Sequence, residues 1–315
     1  MIVIQDTDTQ MEPQLAATIG FFDGVHEGHR FLIEELKRVA HQRALPTAVI
    51  TFSHHPRAVL RSDYQPQLLN SHPEKLKALA TTGIDYCIVL DFTPELSLLT
   101  AQQFIREILA EKLHVRTLLI GYDHRFGHNR AEGFSDYVRY GQQIGMEVVQ
   151  ATAYSEGKAT VSSSEIRRLL AEGNVRQAAH LLTYPYTLQG HIVEGHQVGR
   201  QLGFPTANIA VDDPNKLIPA AGVYAVQAEV AGGTYGGMLC IGNRPTLQNG
   251  TNISLEVNLF DFAGDIYHQP IQVSFLDYIR KNIRFDSLEA LREQLNKDKS
   301  TIIHSGVCTT KQSIY

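Results

Sequence analysis

The sequence predicts an α/β unit built on a parallel sheet, followed by a small antiparallel β-barrel with a C-terminal helix. Three observations predict this. Up to about residue 180, apolar runs of strand length alternate with amphipathic helical patterns. After "HLLTYPYTLQG" (180–190) the helical patterns fade, and short strands follow one another between glycine, asparagine and proline turns. The chain has 315 residues, 43% of them hydrophobic, which is enough for two cores.

In the first unit the strands are "AATIGFF" (16–22), "PTAVITF" (46–52), "DYCIVL" (85–90), "RTLLIGY" (116–122) and "MEVVQAT" (146–152). "HRFLIEELKRVAHQRA" (29–44) gathers Leu32, Leu36, Val39 and Ala40 on one helical face, and "AQQFIREILAEKL" (101–113) gathers Phe104, Ile105, Ile108 and Leu109. Repeated strand–helix units imply a parallel sheet covered on both faces. In such a sheet the ligand site lies beyond the carboxyl ends of the strands, at the switch point. In the second unit the strands are "GVYAVQAEV" (222–230), "GGMLCIG" (236–242), "SLEVNLFDF" (254–262) and "PIQVSFLDYI" (270–279). A last helix, "SLEALREQLNKD" (287–298), has Ser287 as its N-cap and acidic residues in its first turn. The predicted boundaries are 1–183 and 184–300; the tail, 301–315, lacks a periodic apolar face and is expected to be flexible.

A net charge of −5 argues against a nucleic-acid binder, which would carry a basic surface. Cys87, Cys240 and Cys308 are scattered without metal-ligand spacing, and Cys87 and Cys240 sit in apolar runs, as buried thiols do. The amino terminus does not read as a signal peptide, and no stretch approaches the ~20 apolar residues of a membrane span. A reduced, cytoplasmic setting is expected.

"GFFDGVHEGH" (20–29) follows the first of these strands and leads into the first long helix. If the helix begins there, His26 and His29 share a face. Free N–H groups of a helix start favour an anion, glycines let the backbone approach it, and imidazoles donate to phosphate oxygens. A metal site with Asp23 as third ligand, or two surface histidines at a helix cap, fits the same ten residues. "GYDHRFG" (121–127) stands at the end of the fourth of these strands, and "VSSSEIRRLL" (161–170) offers Ser162 as N-cap, with Glu165 completing a capping box and arginines in the first turns. Three polar segments at strand-to-helix junctions, two of them glycine-bearing, favour a nucleotide site. In the barrel, "GRQLGFPTAN" (199–208) ends on Thr206 and Asn208, which point the same way in extended chain and suit Mg²⁺ with phosphates; alone, PTAN is equally a turn entering a strand. "SLEVNLFDF" alternates, with Leu255, Val257 and Leu259 on one face and Glu256, Asn258 and Phe260 on the other. Glu256 is either solvated or a general base within reach of a substrate hydroxyl.

"TIGFFDGVHEGH", "TFSHHP" (51–56), "GYDHRFG" and "SSSEIRRLL", in this order, resemble the adenylyltransferase module of the prokaryotic bifunctional riboflavin kinase/FAD synthetases. "PTAN", "GVYAV", "IGNRPT" (241–246), "SLEVNLF" and "FDSLEALREQLNKD" resemble the riboflavin kinase module of the same family, so the resemblance covers residues 15–298. It implies a Rossmann-like nucleotidyltransferase domain and a six-stranded barrel that turn riboflavin and ATP into FMN, and FMN and ATP into FAD, with Mg²⁺ carried by ATP. It implies that His26 and His29 hold the triphosphate and Arg167 contacts phosphate in the transition state. Gly20, Phe22, Gly28, Ser163, Ser164, Gly199, Gly203 and Pro205 would bind nucleotide. Asp123, Arg125 and Arg280 would line flavin pockets, Thr206 and Asn208 would hold the metal, and Glu256 would be the base for the riboflavin 5′-hydroxyl. The chain departs from the family's usual residues at Phe21 (asparagine), His124 (phenylalanine), Ser164 (threonine), Ser53–His54 (a proline before His-Pro) and Asn282 (glutamate).

Overall fold

A computed structural model describes residues 1–5, 13–60, 63, 65–122, 124–153, 161–195, 199, 202–243 and 253–308. The chain divides into two units, Met1–Ser163 and Ser164–Tyr315. The sequence drew its line at 183/184; by packing, the helical segment before that line groups with the barrel.

The first unit's described strands are β1 (Ile2–Ile4), β2 (Leu15–Ile19), β3 (Thr47–Phe52), β4 (Tyr86–Leu90), β5 (Val115–Ile120) and β6 (Glu147–Gln150). They form one parallel sheet in the order β1-β4-β3-β2-β5-β6. Strand β1 is an addition to the sequence reading: three residues at an exposed edge are too short to show a period. The helices are α1 (Glu27–Arg43), α2 (Pro56–Leu60), α3 (His72–Ala80), α4 (Pro94–Leu98), α5 (Ala101–Gln103) and α6 (Phe134–Ile144). Both sheet faces are covered, so the strands read as unbroken apolar runs. Leu15, Ala17 and Ile19 pack with Phe104, Ile105 and Leu109 on one side. Ala16 packs with Leu36 and Ala40 of α1 on the other. The expected face on residues 101–113 is therefore present, but Phe104–Lys112 is wound as a π-helix, with Leu113 N–H donating five residues back to Ile108 O. Since β2 connects to β3 on one side while β5 lies on its other side, the strand order reverses between β2 and β5. Their carboxyl ends carry the 20–29 and 121–127 segments.

The second unit holds α7 (Ser163–Ala171), which starts on the last residue of the first, α8 (Val175–Leu182), six strands and α9 (Leu288–His304). The strands are β7 (Thr187–Val193), β8 (Ala207–Val211), β9 (Gly222–Val230), β10 (Gly233–Asn243), β11 (Ile253–Leu259) and β12 (Pro270–Arg280). They close an antiparallel barrel in the order β10-β11-β8-β7-β12-β9. Periodicity found β9 to β12 and missed β7 and β8. "TLQGHIV" has just two buried large apolar residues, Leu188 and Ile192, and β8 is five residues long. The C-terminal expectation needs correction. Ser287 does cap the last helix, but the helix continues to His304, and Ile302 is fully buried beside Phe260, Val223 and Met238. Residues 301–308 are packed chain; 309–315 lie outside the described residues.

Candidate active sites

In the first unit the chain reverses through Gly20–His26 before α1 begins. Phe22 (φ 56°), Gly24 (φ 85°) and Val25 (φ 39°) all take left-handed backbone, which is costly for Phe and more so for β-branched Val. Burial and hydrogen bonds hold it there. Phe22 and Val25 pack with Ile33, Val49 and Leu79. The buried Asp23 carboxylate accepts from the N–H of Leu69 (2.9 Å) and of Asn70 (3.1 Å). The Asp23 carbonyl accepts from the Ser163 hydroxyl at 2.9 Å. Asp23 is thus engaged in holding the loop, and no group of three or more His, Cys, Asp or Glu able to hold a metal occurs among the described residues.

His26 is itself the N-cap of α1, one residue before Glu27, in place of the usual hydroxyl or carboxamide. Its Nδ1 accepts from His29 N–H at 3.3 Å, so its ring hydrogen sits on Nε2. The two imidazoles stack at 3.7 Å with 16° between planes. Loss of solvent around His29, then the neighbouring His26 and His124, hold the His29 pKa well below its ordinary value. His29 is therefore neutral at neutral pH, and its Nδ1 has no hydrogen-bond partner among the described residues. A Cβ on Gly28 would sit 3.4 Å from the His26 ring, so the glycine leaves that ring's surface open. Gly20 continues the sheet, donating to Ile50 O at 3.0 Å.

The other motif residues are placed less uniformly. Ser163 spends its hydroxyl on the loop, Ser164 is exposed, and Arg167 is half-buried in α7. Arg168 is engaged by Glu165 and Glu172. In the 121–127 segment, Phe126 stacks on Tyr137 at 4.4 Å and donates its N–H to the Tyr137 hydroxyl. Arg125 is exposed, and Asp123 lies outside the described residues. The residue of this segment whose charge is felt at His29 is His124, a departure from the family's usual phenylalanine. Sequence reasoning missed Lys75 altogether. It is 2% exposed and donates to Phe52 O (2.8 Å), Thr51 Oγ1 (3.2 Å) and Phe21 O (3.3 Å).

In the barrel, β8 and β11 pair with Asn208 opposite Glu256, so the two side chains share a face. The face of Glu256 and Asn258 turns toward α9. There Thr206, Glu256, Arg280, Asn282, Phe285 and Leu295 line a cavity of about 320 Å³, together with Gly199 and the β10 residue Cys240. On the opposite face, Val257 and Leu259 line a larger cavity of about 690 Å³, with Pro205, Ala207, Asp265 and Tyr267. Thr206 lines both. Gly199 arches over it: a Cβ there would meet Phe204 O at 2.3 Å and Thr206 Oγ1 at 3.1 Å, so only glycine fits. Gly203 turns the loop back at φ 81°, and the Pro205 carbonyl accepts from the Asn258 amide at 2.7 Å. Arg280 is bound in a fork by the Asp298 carboxylate of α9, at 2.7–3.0 Å, and Gln294 donates to the same carboxylate at 2.8 Å. Asn282 donates to Ile241 O at 2.8 Å, which braces the segment after β12 onto β10. Residues 244–246 of the "IGNRPT" motif lie outside the described residues.

Known proteins match both halves of this picture. The FAD synthetase family profile matches residues 8–165, and the riboflavin kinase profile matches residues 182–305. The bifunctional riboflavin kinase/FMN adenylyltransferase of Escherichia coli (strain K12) is 38% identical over 285 residues, 90% of each chain. That of Listeria monocytogenes is 36% identical over 294 residues, 93% of each chain, and that of Bacillus subtilis (strain 168) is 34% identical over 291 residues, 90% of each. A crystal structure from Streptococcus pneumoniae, named as a macrolide-efflux protein, superposes with a TM-score of 0.86 at 31% identity, covering 96% of this chain and 99% of that one. No helix among the described residues is long and apolar enough to cross a membrane. With both profiles matched in order and full-length relatives at this identity, the chain belongs to the family of bifunctional riboflavin kinase/FMN adenylyltransferases.

Proposed function

We propose that the family's two reactions are divided along this chain, with FMN adenylyl transfer in residues 1–183 and riboflavin phosphorylation in 184–300. The observation that carries the reading is the pair of separate constellations: two stacked histidines at a helix start in one unit, and Glu256 in a cavity against Thr206 in the other.

In the first, an FMN phosphate oxygen attacks the α-phosphorus of ATP as the bond to pyrophosphate breaks. The protein forms no covalent bond; it positions and stabilises charge. His26 offers Nε2–H, and neutral His29 holds a ring nitrogen in reserve for the phosphate. The free N–H groups of the first turn of α1 add their dipoles. The sequence motif assigns Arg167 the growing charge, and Ser164, Gly20, Phe22 and Gly28 the nucleotide; Asp123 and Arg125 are assigned to the flavin. Ser163 acts on the nucleotide through the loop that it fastens.

In the barrel, Glu256 takes the proton of the riboflavin 5′-hydroxyl while that oxygen attacks the γ-phosphorus and ADP leaves. ATP occupies the larger cavity beside Pro205 and Thr206, and riboflavin the smaller, which Gly199 and Arg280 line. Enzymes of these families use ATP with a divalent cation; here we assign Mg²⁺ to Thr206 and Asn208. A hydroxyl and a carboxamide are neutral oxygen donors, and they fit a hard cation that takes its remaining ligands from phosphate and water. When bound, it neutralises phosphate charge. Three unbridged cysteines, each with its thiol pKa raised by burial, support a cytoplasmic setting.

The test is direct. Purified protein with riboflavin, ATP and Mg²⁺ is expected to yield FMN and then FAD on chromatography. His29→Ala should slow FAD formation from supplied FMN by roughly 10²–10³-fold and spare FMN formation. Glu256→Ala should do the reverse, by roughly 10²–10⁴-fold. Equal loss of both activities in either variant would contradict the division.

A further inference from the structure

We propose that Lys75 is a positioning residue for adenylyl transfer, whose ammonium fastens the start of the histidine loop to the end of β3. The proposal rests on the assignment of that reaction to the first unit.

Lys75 stands one turn into α3, a helix fixed at its start by a capping box between Ser71 and Glu74. Its side chain runs inward and meets three acceptors: the carbonyls of Phe52 and Phe21 and the Thr51 hydroxyl. An ammonium carries three hydrogens, so each is used. The ammonium also lies 4.1 Å from the centre of the Phe21 ring, which meets the His55 ring at 4.7 Å. Thr51 donates in turn to Phe21 O at 3.0 Å. Two strand ends, β2 continued to Phe21 and β3 at Phe52, are thereby joined through one buried cation.

Burying a cation is costly, and a methionine would fill much the same space without that cost. What a methionine lacks is the tie. Phe21 is the last residue before the left-handed turn at Phe22, and from Phe22 the loop leads through Asp23 to His26. A displaced Phe21 carbonyl therefore moves the cradle itself. Reactions catalysed by positioning lose about 10²-fold for ~1 Å of misplacement.

Burial lowers the Lys75 pKa to about 8, opposed by Asp23 and Cys87, the charged or titratable groups that face it. His72, on the same helix, feels its charge in return. The tie is charged below that pH and neutral above it.

The experiment uses the full chain, with FAD formation from FMN, ATP and Mg²⁺ as one readout and FMN formation from riboflavin as the other. Lys75→Met should lower kcat for FAD about 10–100-fold, with KM for FMN within about twofold and FMN formation unchanged. Thr51→Val, nearly isosteric, should lower the same kcat by a smaller factor. The wild-type rate should fall above about pH 8, and Lys75→Arg, which keeps its charge, should lack that fall. Wild-type kcat in Lys75→Met or Thr51→Val would overturn the proposal, as would an identical alkaline limb in Lys75→Arg. If Lys75→Met does not fold, Thr51→Val decides. His29→Ala separates the two levels: retained FAD formation there sinks the assignment of the reaction, whereas its loss there beside full activity in Lys75→Met sinks only the role of Lys75.

Discussion

His26 and His29 show how much chemistry a helix cap can carry. Because His26 Nδ1 is committed to capping, its tautomer is set by the fold before any ligand arrives. His29 brings a pH signature. In the unfolded chain it takes up a proton near about pH 6.5; in the folded chain its pKa is lower, so between the two values the unfolded form holds more protons. Its contribution to stability is full above the unfolded pKa and is lost as pH falls through the folded one. Melting of the first unit should therefore weaken more steeply between about pH 7 and about pH 5 in the wild type than in His29→Asn, and equal slopes would refute the argument. These histidines and Thr206 were legible in the sequence because each sits in a short run of unusual composition next to a strand end, and Glu256 because it is the one acidic residue in the alternating strand Ile253–Leu259. Lys75 and Asp298 were not. Lys75 acts on residues 23, 24 and 54 positions away, and Asp298 on one 18 positions away. A lone Lys or Asp in an amphipathic helix carries no sign of such partners.

Among elements, α9 departs furthest from expectation. Its sequence pattern stops looking amphipathic near Asp298, because Asp298 and Ile302 face inward and only one of them is apolar. Asp298 is 2% exposed and neutralised by Arg280. The polar residue that hides the helix's continuation is the one that docks it against the cavity. Removing that carboxylate leaves a largely buried guanidinium without its counter-ion. Asp298→Ala should destabilise the barrel by about 3–5 kcal/mol, read as a shift in denaturant midpoint. Ile302→Ala, in the segment expected from sequence to be flexible, should cost about 2–5 kcal/mol. A flexible tail would make that second substitution silent. The short strands β7 and β8 were hidden for the opposite reason: the barrel's closure supplies their stability, and little of it comes from their own composition.

Along the whole chain, texture and packing disagree about where it can be cut. Sequence texture changes at 183/184, yet α8 buries Val175, Ala178, Leu181 and Leu182, packs on β12, and pairs Arg176 with Asp277 at 2.9 Å. The Leu170 carbonyl of α7 accepts from Ala220 N–H at 3.0 Å. Texture marks where the strands begin, while packing marks what they need. A fragment beginning at Ser164 should keep riboflavin phosphorylation. One beginning at Tyr184 should be less stable, by roughly 1.5–3 kcal/mol for each large apolar side chain whose burial goes with the helices. Equal melting of the two fragments would place the helices with the first unit. Finally, the two cavities beside Thr206 lie on opposite sides of one strand pair and share that residue as their party wall. With ATP in one and riboflavin in the other, as proposed above, each substrate has its own door, and neither must queue behind the other. Initial-rate lines for riboflavin at several ATP concentrations should intersect, and each substrate should bind the empty protein alone.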